Sequence, residues 1–174
     1  MKLTKNISVR LVGVVFIISL VSYGVFIKFI KADPLLKEAE AFREKRIPNV
    51  PLQNFATSTD FSSEVLKGKV LLVYSISSCA ACKKELQSLS RSMADMDPET
   101  RIFGVMFEDE KVVKNYVEQN DIKVPILLDK DGRLFQELEL KYFPSNLTLN
   151  NGQIKKAFFG FPKDKEGLIE LTRF

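Results

Sequence analysis

No histidine occurs among the 174 residues, and only two cysteines do. The first absence excludes Ser-His-Asp and Cys-His nucleophilic chemistry and any histidine ligation of haem or copper. The second leaves a zinc site two ligands short, and structural zinc is rarely completed by carboxylates. Basic residues are scarce where nucleic acid would need them. Residues 1–46 carry nine Lys/Arg against four acids, which leaves 17 basic and 18 acidic residues for the rest of the chain. The net charge of +4 thus comes from the N-terminal stem, and the remainder offers no electrostatic footprint for nucleic acid. Internal repeats and low-complexity segments are also missing. What remains is 45% hydrophobic content in a length suited to one ordinary domain and an appendage, with a dithiol as its main chemical resource.

The two cysteines stand in Ser77-Ser78-Cys79-Ala80-Ala81-Cys82-Lys83-Lys84-Glu85, directly after the apolar run Val70–Ile76. A strand that ends in Cys-x-x-Cys and enters a helix is the sequence form of a redox-active pair. Leu86, Leu89, Met93 and Met96 continue the Cys82 face at helical spacing, and Asp97-Pro98 stops the helix. Cys79 is therefore expected at a helix N-terminus, where free N–H groups favour thiolate over thiol. Cys82 follows one turn later, close enough to close a disulfide. A static disulfide or two small core residues are the competing readings, although a static bridge normally closes a longer loop.

Leu11–Ile27 is uncharged and bounded by Arg10 and Lys28. It is a short but sufficient membrane span if the flanking charges snorkel. A cleaved signal peptide is the rival, with Ser22-Tyr23-Gly24 as a small-x-small site. The apolar run continues past that point, which favours an uncleaved anchor. The positive-inside count leans weakly to an inside N-terminus. Residues 31–47 read as a charged, helical stalk with a narrow stripe of Leu35, Ala39 and Phe42, ended by Ile47-Pro48-Asn49-Val50-Pro51.

Beyond that boundary a short helix is expected over Phe61–Leu66, then the strand Val70–Ile76, the CxxC helix and a strand over Ile102–Phe107. A helix follows with acids 108–110 in its first turn, Val113, Tyr116 and Val117 on its apolar face and Asn120 as its stop. Val124–Leu128 is strand-like. Asn146–Leu149 and Ile154–Phe159 flank an Asn151-Gly152 hairpin signal, and Asp164 is a candidate cap for a last helix. The alternation implies a central sheet covered on both faces.

Four stretches, in this order and spacing, carry a family resemblance. They are Leu66–Val73, Cys79–Glu85, Val124–Arg133 and Phe143–Ile154. The chain resembles membrane-anchored thioredoxin-like thiol–disulfide oxidoreductases of the TlpA/ResA type over about two thirds of its length. The resemblance implies an α/β thioredoxin-like fold, with a central mixed sheet flanked by helices and preceded by one N-terminal transmembrane helix. The domains are then 1–30, signal-anchor; 31–49, charged stalk; and 50–174, thioredoxin-like. It makes Cys79 the attacking nucleophile and Cys82 the resolving thiol, with the redox-active disulfide in place of any cofactor or metal. Pro144 falls on the family's cis-proline, which presents backbone to an extended substrate. Phe143 then borders the substrate groove or serves ordinary core packing. Glu85 matches an acidic position near the active site, with a solvated helix face as the alternative. Three features depart from the family: Ser78 replaces the usual tryptophan before the first cysteine, Ala80-Ala81 fills the intervening dipeptide where proline is common, and Val73 stands where cytosolic thioredoxins bury an aspartate.

The expected activity is reduction of disulfides in extracytoplasmic client proteins, with apocytochrome c cysteines among the family's clients and a transmembrane electron donor recharging the pair. The domain would lie outside the cytoplasmic membrane, held to it by the N-terminal helix. The absence of a histidine inside the CxxC leans toward a reductant. An oxidase or isomerase is the second reading, and a tethered binding or scaffold protein without turnover the third. No surrounding residue pattern marks a peroxide-activating cysteine.

Overall fold

Val70, Leu72 and Tyr74 alternate along one strand with Leu71 and Val73, and all five are buried. The period-two pleat sends the two sets to opposite faces, so this strand is covered on both sides. A computed structural model describes residues 34–62, 66–162 and 164–173. The proposed span over Leu11–Ile27 lies outside them, and no helix among the described residues is long and apolar enough to cross a membrane. The chain divides into two units, Met1–Glu38 and Ala39–Phe174; the sheet and both cysteines belong to the second.

The elements are α1 (Pro34–Phe42), β1 (Pro51–Asn54), β2 (Asp60–Ser62), β3 (Lys69–Tyr74), α2 (Ala80–Ser92), β4 (Thr100–Met106), α3 (Glu110–Gln119), β5 (Ile126–Leu128), α4 (Arg133–Glu137), β6 (Ser145–Asn150), β7 (Gln153–Phe159) and α5 (Lys165–Glu170). The sheet order is β2-β1-β5-β4-β3-β6-β7. Strands β3, β4 and β5 are parallel neighbours, and the remaining pairings are antiparallel. This is the mixed sheet of a thioredoxin-like α/β fold. On one face Val70, Leu72 and Tyr74 pack with Phe42, Leu134 of α4, Leu147 and Leu149. On the other, Leu71 and Val73 pack with Leu86 and Leu89 of α2, Val113 and Tyr116 of α3, and Leu168 at α5.

Two expectations need correction. No helix starts at Phe61, because Asp60–Ser62 pairs antiparallel with Pro51–Gln53. The reversal is made by Asn54, whose side-chain oxygen accepts from the backbone N–H of Ala56 and Thr57, so the chain folds back as a hairpin. Residues 63–65 lie outside the described set. The Cys82 face also does not run unbroken to Met96. The α-helix yields to a 3₁₀ turn at Met93–Asp95, which swings Met93 out to 42% exposure before Met96 returns to the core.

The hairpin signal is realised. Asn151 and Gly152 take left-handed φ values of 50° and 75° between β6 and β7, the geometry that a two-residue turn requires. Asn151 also ties this turn to the one before β3. Its backbone N–H donates to the Gly68 carbonyl, and its side-chain oxygen accepts from the Gly68 N–H, each at 2.9 Å.

Candidate active site

The site forms where β3 and β4 end and β6 begins. The ladder continues one step past β3, as the Ser75 N–H donates to Val105 at 2.9 Å. The chain then turns, with the Cys79 N–H on the Ile76 carbonyl at 3.2 Å. Cys79 is the N-cap of α2: its backbone is extended, and its sulfur accepts the Cys82 N–H at 3.1 Å. A free N–H at a helix start is the donor that stabilises a thiolate in this position. The two cysteines form a disulfide with Cα atoms 5.2 Å apart. Cys79 is half-buried, whereas Cys82 is fully buried beneath it, so the first sulfur is the one that a partner meets. Among the described residues no cluster of His, Cys, Asp or Glu is arranged to hold a metal ion.

The loop before β6 closes the other side. The Phe143–Pro144 peptide is cis, and the Phe143 carbonyl oxygen lies 3.8 Å from Cys79 Sγ. Ser145 Oγ donates to the Tyr142 carbonyl at 2.6 Å, and the Gly160 N–H donates to the Pro144 carbonyl at 2.8 Å. The loop is thus held at both flanks. The Phe143 ring turns from the sulfur into an aromatic group, stacked on Phe135 at 5.4 Å and 9° and 6.1 Å from Phe107. Tyr74 joins this group, and its buried hydroxyl donates to Asp129, whose Oδ2 also accepts from the Phe135 N–H at 3.1 Å. Burial, reinforced by the Asp129 charge, holds the Tyr74 phenol far above its usual range.

Glu85 is fully buried. It shares the buried face of α2 with Cys82, Leu86 and Leu89: Glu85 and Leu86 follow Cys82 at i+3 and i+4, and Leu89 follows Glu85 at i+4. Neither carboxyl oxygen has a hydrogen-bond partner. Burial pushes its pKa up to about 8, opposed by the neighbouring Asn146 amide. That amide donates instead to the Gly160 carbonyl at 3.2 Å, which leaves Asn146 Oδ1 buried and unpaired beside the acid. Cys82, Glu85, Leu86 and Leu89 form one helical stripe already in the sequence, and that stripe is the signal for a buried acid. The structure brings Cys79, Cys82, Pro144 and the Phe143 carbonyl together, with Glu85 beneath.

One residue here carried no sequence signal for this role. Glu108 reads as a first-turn helix acid, but it lies ahead of α3 and turns its carboxylate onto the loop before Cys79. Oε2 accepts the Ser77 N–H at 2.7 Å, and Oε1 accepts the Ser77 hydroxyl at 2.6 Å. Only the parallel pairing of β3 with β4 brings these two strand ends side by side.

The chain is similar in sequence and fold to known proteins. Residues 44–165 match the AhpC/TSA family. The sporulation thiol-disulfide oxidoreductase A of Bacillus subtilis is 29% identical over 137 residues, covering 75% of this chain and 82% of that protein. The crystal structure of StoA from Bacillus subtilis superposes with a TM-score of 0.61 at 29% identity, covering 72% of this chain and all of that one. The thioredoxin domain of a thiol-disulfide oxidoreductase from Bacteroides vulgatus shares the fold at a TM-score of 0.63 and 18% identity, over 74% of this chain and 93% of that one. With the capped, half-buried Cys79 and the buried Cys82 in place, the chain belongs to the AhpC/TSA family as a thioredoxin-like thiol–disulfide oxidoreductase.

Proposed function

We propose that the protein reduces disulfides in extracytoplasmic client proteins while tethered to the membrane by residues 11–27. The observation that carries the exchange chemistry is the asymmetry of the pair: one sulfur is reachable at a helix start and the other is buried one turn behind it. The Cys79 thiolate attacks one sulfur of the client disulfide, forming a mixed disulfide and releasing the other client sulfur as a thiolate. Cys82, deprotonated, then attacks Cys79 Sγ, and the second client thiolate leaves. Two electrons have passed to the client, and the Cys79–Cys82 disulfide remains. A dithiol donor, in our reading a transmembrane reductase, returns the two electrons by the reverse exchange.

The loop 143–145 receives the client as an extended segment, with Pro144 and the Phe143 carbonyl beside Cys79. Glu85 handles the proton of Cys82. In the disulfide form it holds a proton near neutral pH; on recharging it gives that proton to the departing Cys82 sulfur, and in the client step it takes one back. Val73 on β3 packs on this same face, so the acid that a strand residue supplies in cytosolic thioredoxins comes here from α2. Apocytochrome c is one client class that suits this chemistry.

Equilibration of the full-length protein with glutathione or dithiothreitol tests the direction. A reduction potential near about −270 mV or lower supports a reductant, and one near roughly −120 mV overturns that direction in favour of an oxidase. Trapping on Cys82→Ser would then identify the clients, since the mixed disulfide on Cys79 cannot be resolved.

A further inference from the structure

We propose that Glu108 is a positioning residue for the nucleophile, a carboxylate clamp that fixes the loop from which Cys79 is presented. The loop between β3 and α2 needs such a restraint. Ser78 is exposed, and Ile76, the one large side chain of the loop, is only half-buried and belongs to neither core cluster, so the loop's own side chains anchor it weakly. Its restraint comes across the sheet. β3 and β4 pair in parallel from Lys69–Thr100 to Tyr74–Val105, and the ladder gains one more bond at Ser75. Beyond that bond the strands part, and Glu108 spans the gap.

Both of its oxygens are used on one residue, at 2.6 and 2.7 Å. Charge-assisted bonds of this length are the stronger class, and two from one carboxylate fix orientation as well as distance. Ser77 is two residues before Cys79. The Cys79 N–H bond to Ile76 and the Cys82 N–H bond to Cys79 Sγ both hang from this segment. A loop pinned at Ser77 keeps the sulfur over the Cys82 N–H in the first turn of α2 and under the Phe143 carbonyl. Released, the same loop lets the sulfur leave the donor that stabilises its thiolate.

The clamp also adds a negative charge near the thiolate, which works against it. Geometry and charge are separable, because glutamine can still accept from the Ser77 N–H and donate to its hydroxyl. The test is the rate of Cys79 alkylation by iodoacetamide in the reduced full-length protein, measured across pH, with the modified peptide identified by mass spectrometry. Glu108→Ala should react roughly three- to tenfold more slowly than Glu108→Gln near neutral pH, the effect of losing a hydrogen bond or two, and its profile should move to higher pH. Ser77→Ala, which keeps the charge and the backbone bond, should slow the rate by a smaller factor. It also supplies the measurement if Glu108→Ala does not fold. Equal rates for the alanine and glutamine variants, or a lower melting temperature with an unchanged Cys79 profile, would overturn the proposal.

Discussion

Glu85 makes the oxidised protein sensitive to pH in an unusual direction. Its pKa stands at about 8 in the fold, against an ordinary carboxylate value of 4.5. Between these values the folded state binds a proton that the unfolded chain has released. Stability therefore falls as pH rises from about 5 to about 8, with a slope approaching 1.4 kcal/mol per pH unit, roughly the linkage limit for one proton. Above the folded value it levels off. Urea midpoints of the oxidised protein measured across this range should show that decline, and Glu85→Gln should flatten it. If Glu85 also shuttles the Cys82 proton, the same substitution should slow turnover of a small disulfide substrate by roughly ten- to a hundredfold, the low end for general acid–base catalysis. A variant with the flattened stability curve and full turnover would keep the buried acid and remove the shuttle.

At the scale of elements, the seating of α2 on the sheet decides where the dithiol sits. Gly104, in the middle of β4, leaves the gap for it. A Cβ there would lie 2.6 Å from the Ile126 terminal methyl and 3.3 Å from Leu86 Cδ2. Alanine displaces mainly the flexible end of Ile126. Valine has no such escape, and Gly104→Val should destabilise the protein by about 1–3 kcal/mol, as overpacking does, readable in urea unfolding. The Asn151–Gly68 clasp makes a second case. Asn151→Ala removes the side-chain bond to Gly68 and places a poorer residue at positive φ. Its expected cost is about 1–2 kcal/mol, seen as a lower thermal midpoint. These elements also show what the sequence made legible. The β3–CxxC–α2 unit and the β6–β7 turn were readable because each rests on local chemistry, a helix start in one case and an Asn-Gly turn in the other. Strands β1 and β2 were not, since three- and four-residue strands carry too little periodicity to compete with a helix-like pattern around Phe61. The Ser77–Glu108 pair was hidden for another reason. Its partners are 31 residues apart, and only the order of strands makes them neighbours.

For the whole molecule, the redox state and the fold must be linked. A pair with a low reduction potential has a disulfide favoured by the native structure, so reduction should lower the urea midpoint; a strong oxidant shows the reverse, because its reduced form is the stabilised one. The reading of Leu11–Ile27 as an anchor predicts that the full-length chain stays with membranes through carbonate extraction, and that Ile17→Arg releases a large part of it. The N-terminal edge of the sheet domain is also fixed at a definite place. Glu44, Lys45 and Ile47 are stitched to Gly152 and Ile154 by three backbone bonds of 2.8 Å. Because β3 and β6 lie antiparallel, with Tyr74 opposite Ser145 and Lys69 opposite Asn150, this seam is at one pole and Cys79 at the other. Six residues of strand separate the poles, about 20 Å. The chain therefore enters the sheet domain at the pole opposite its reactive sulfur. Any partner that exchanges disulfides with Cys79 has to arrive at that far pole, clear of the seam.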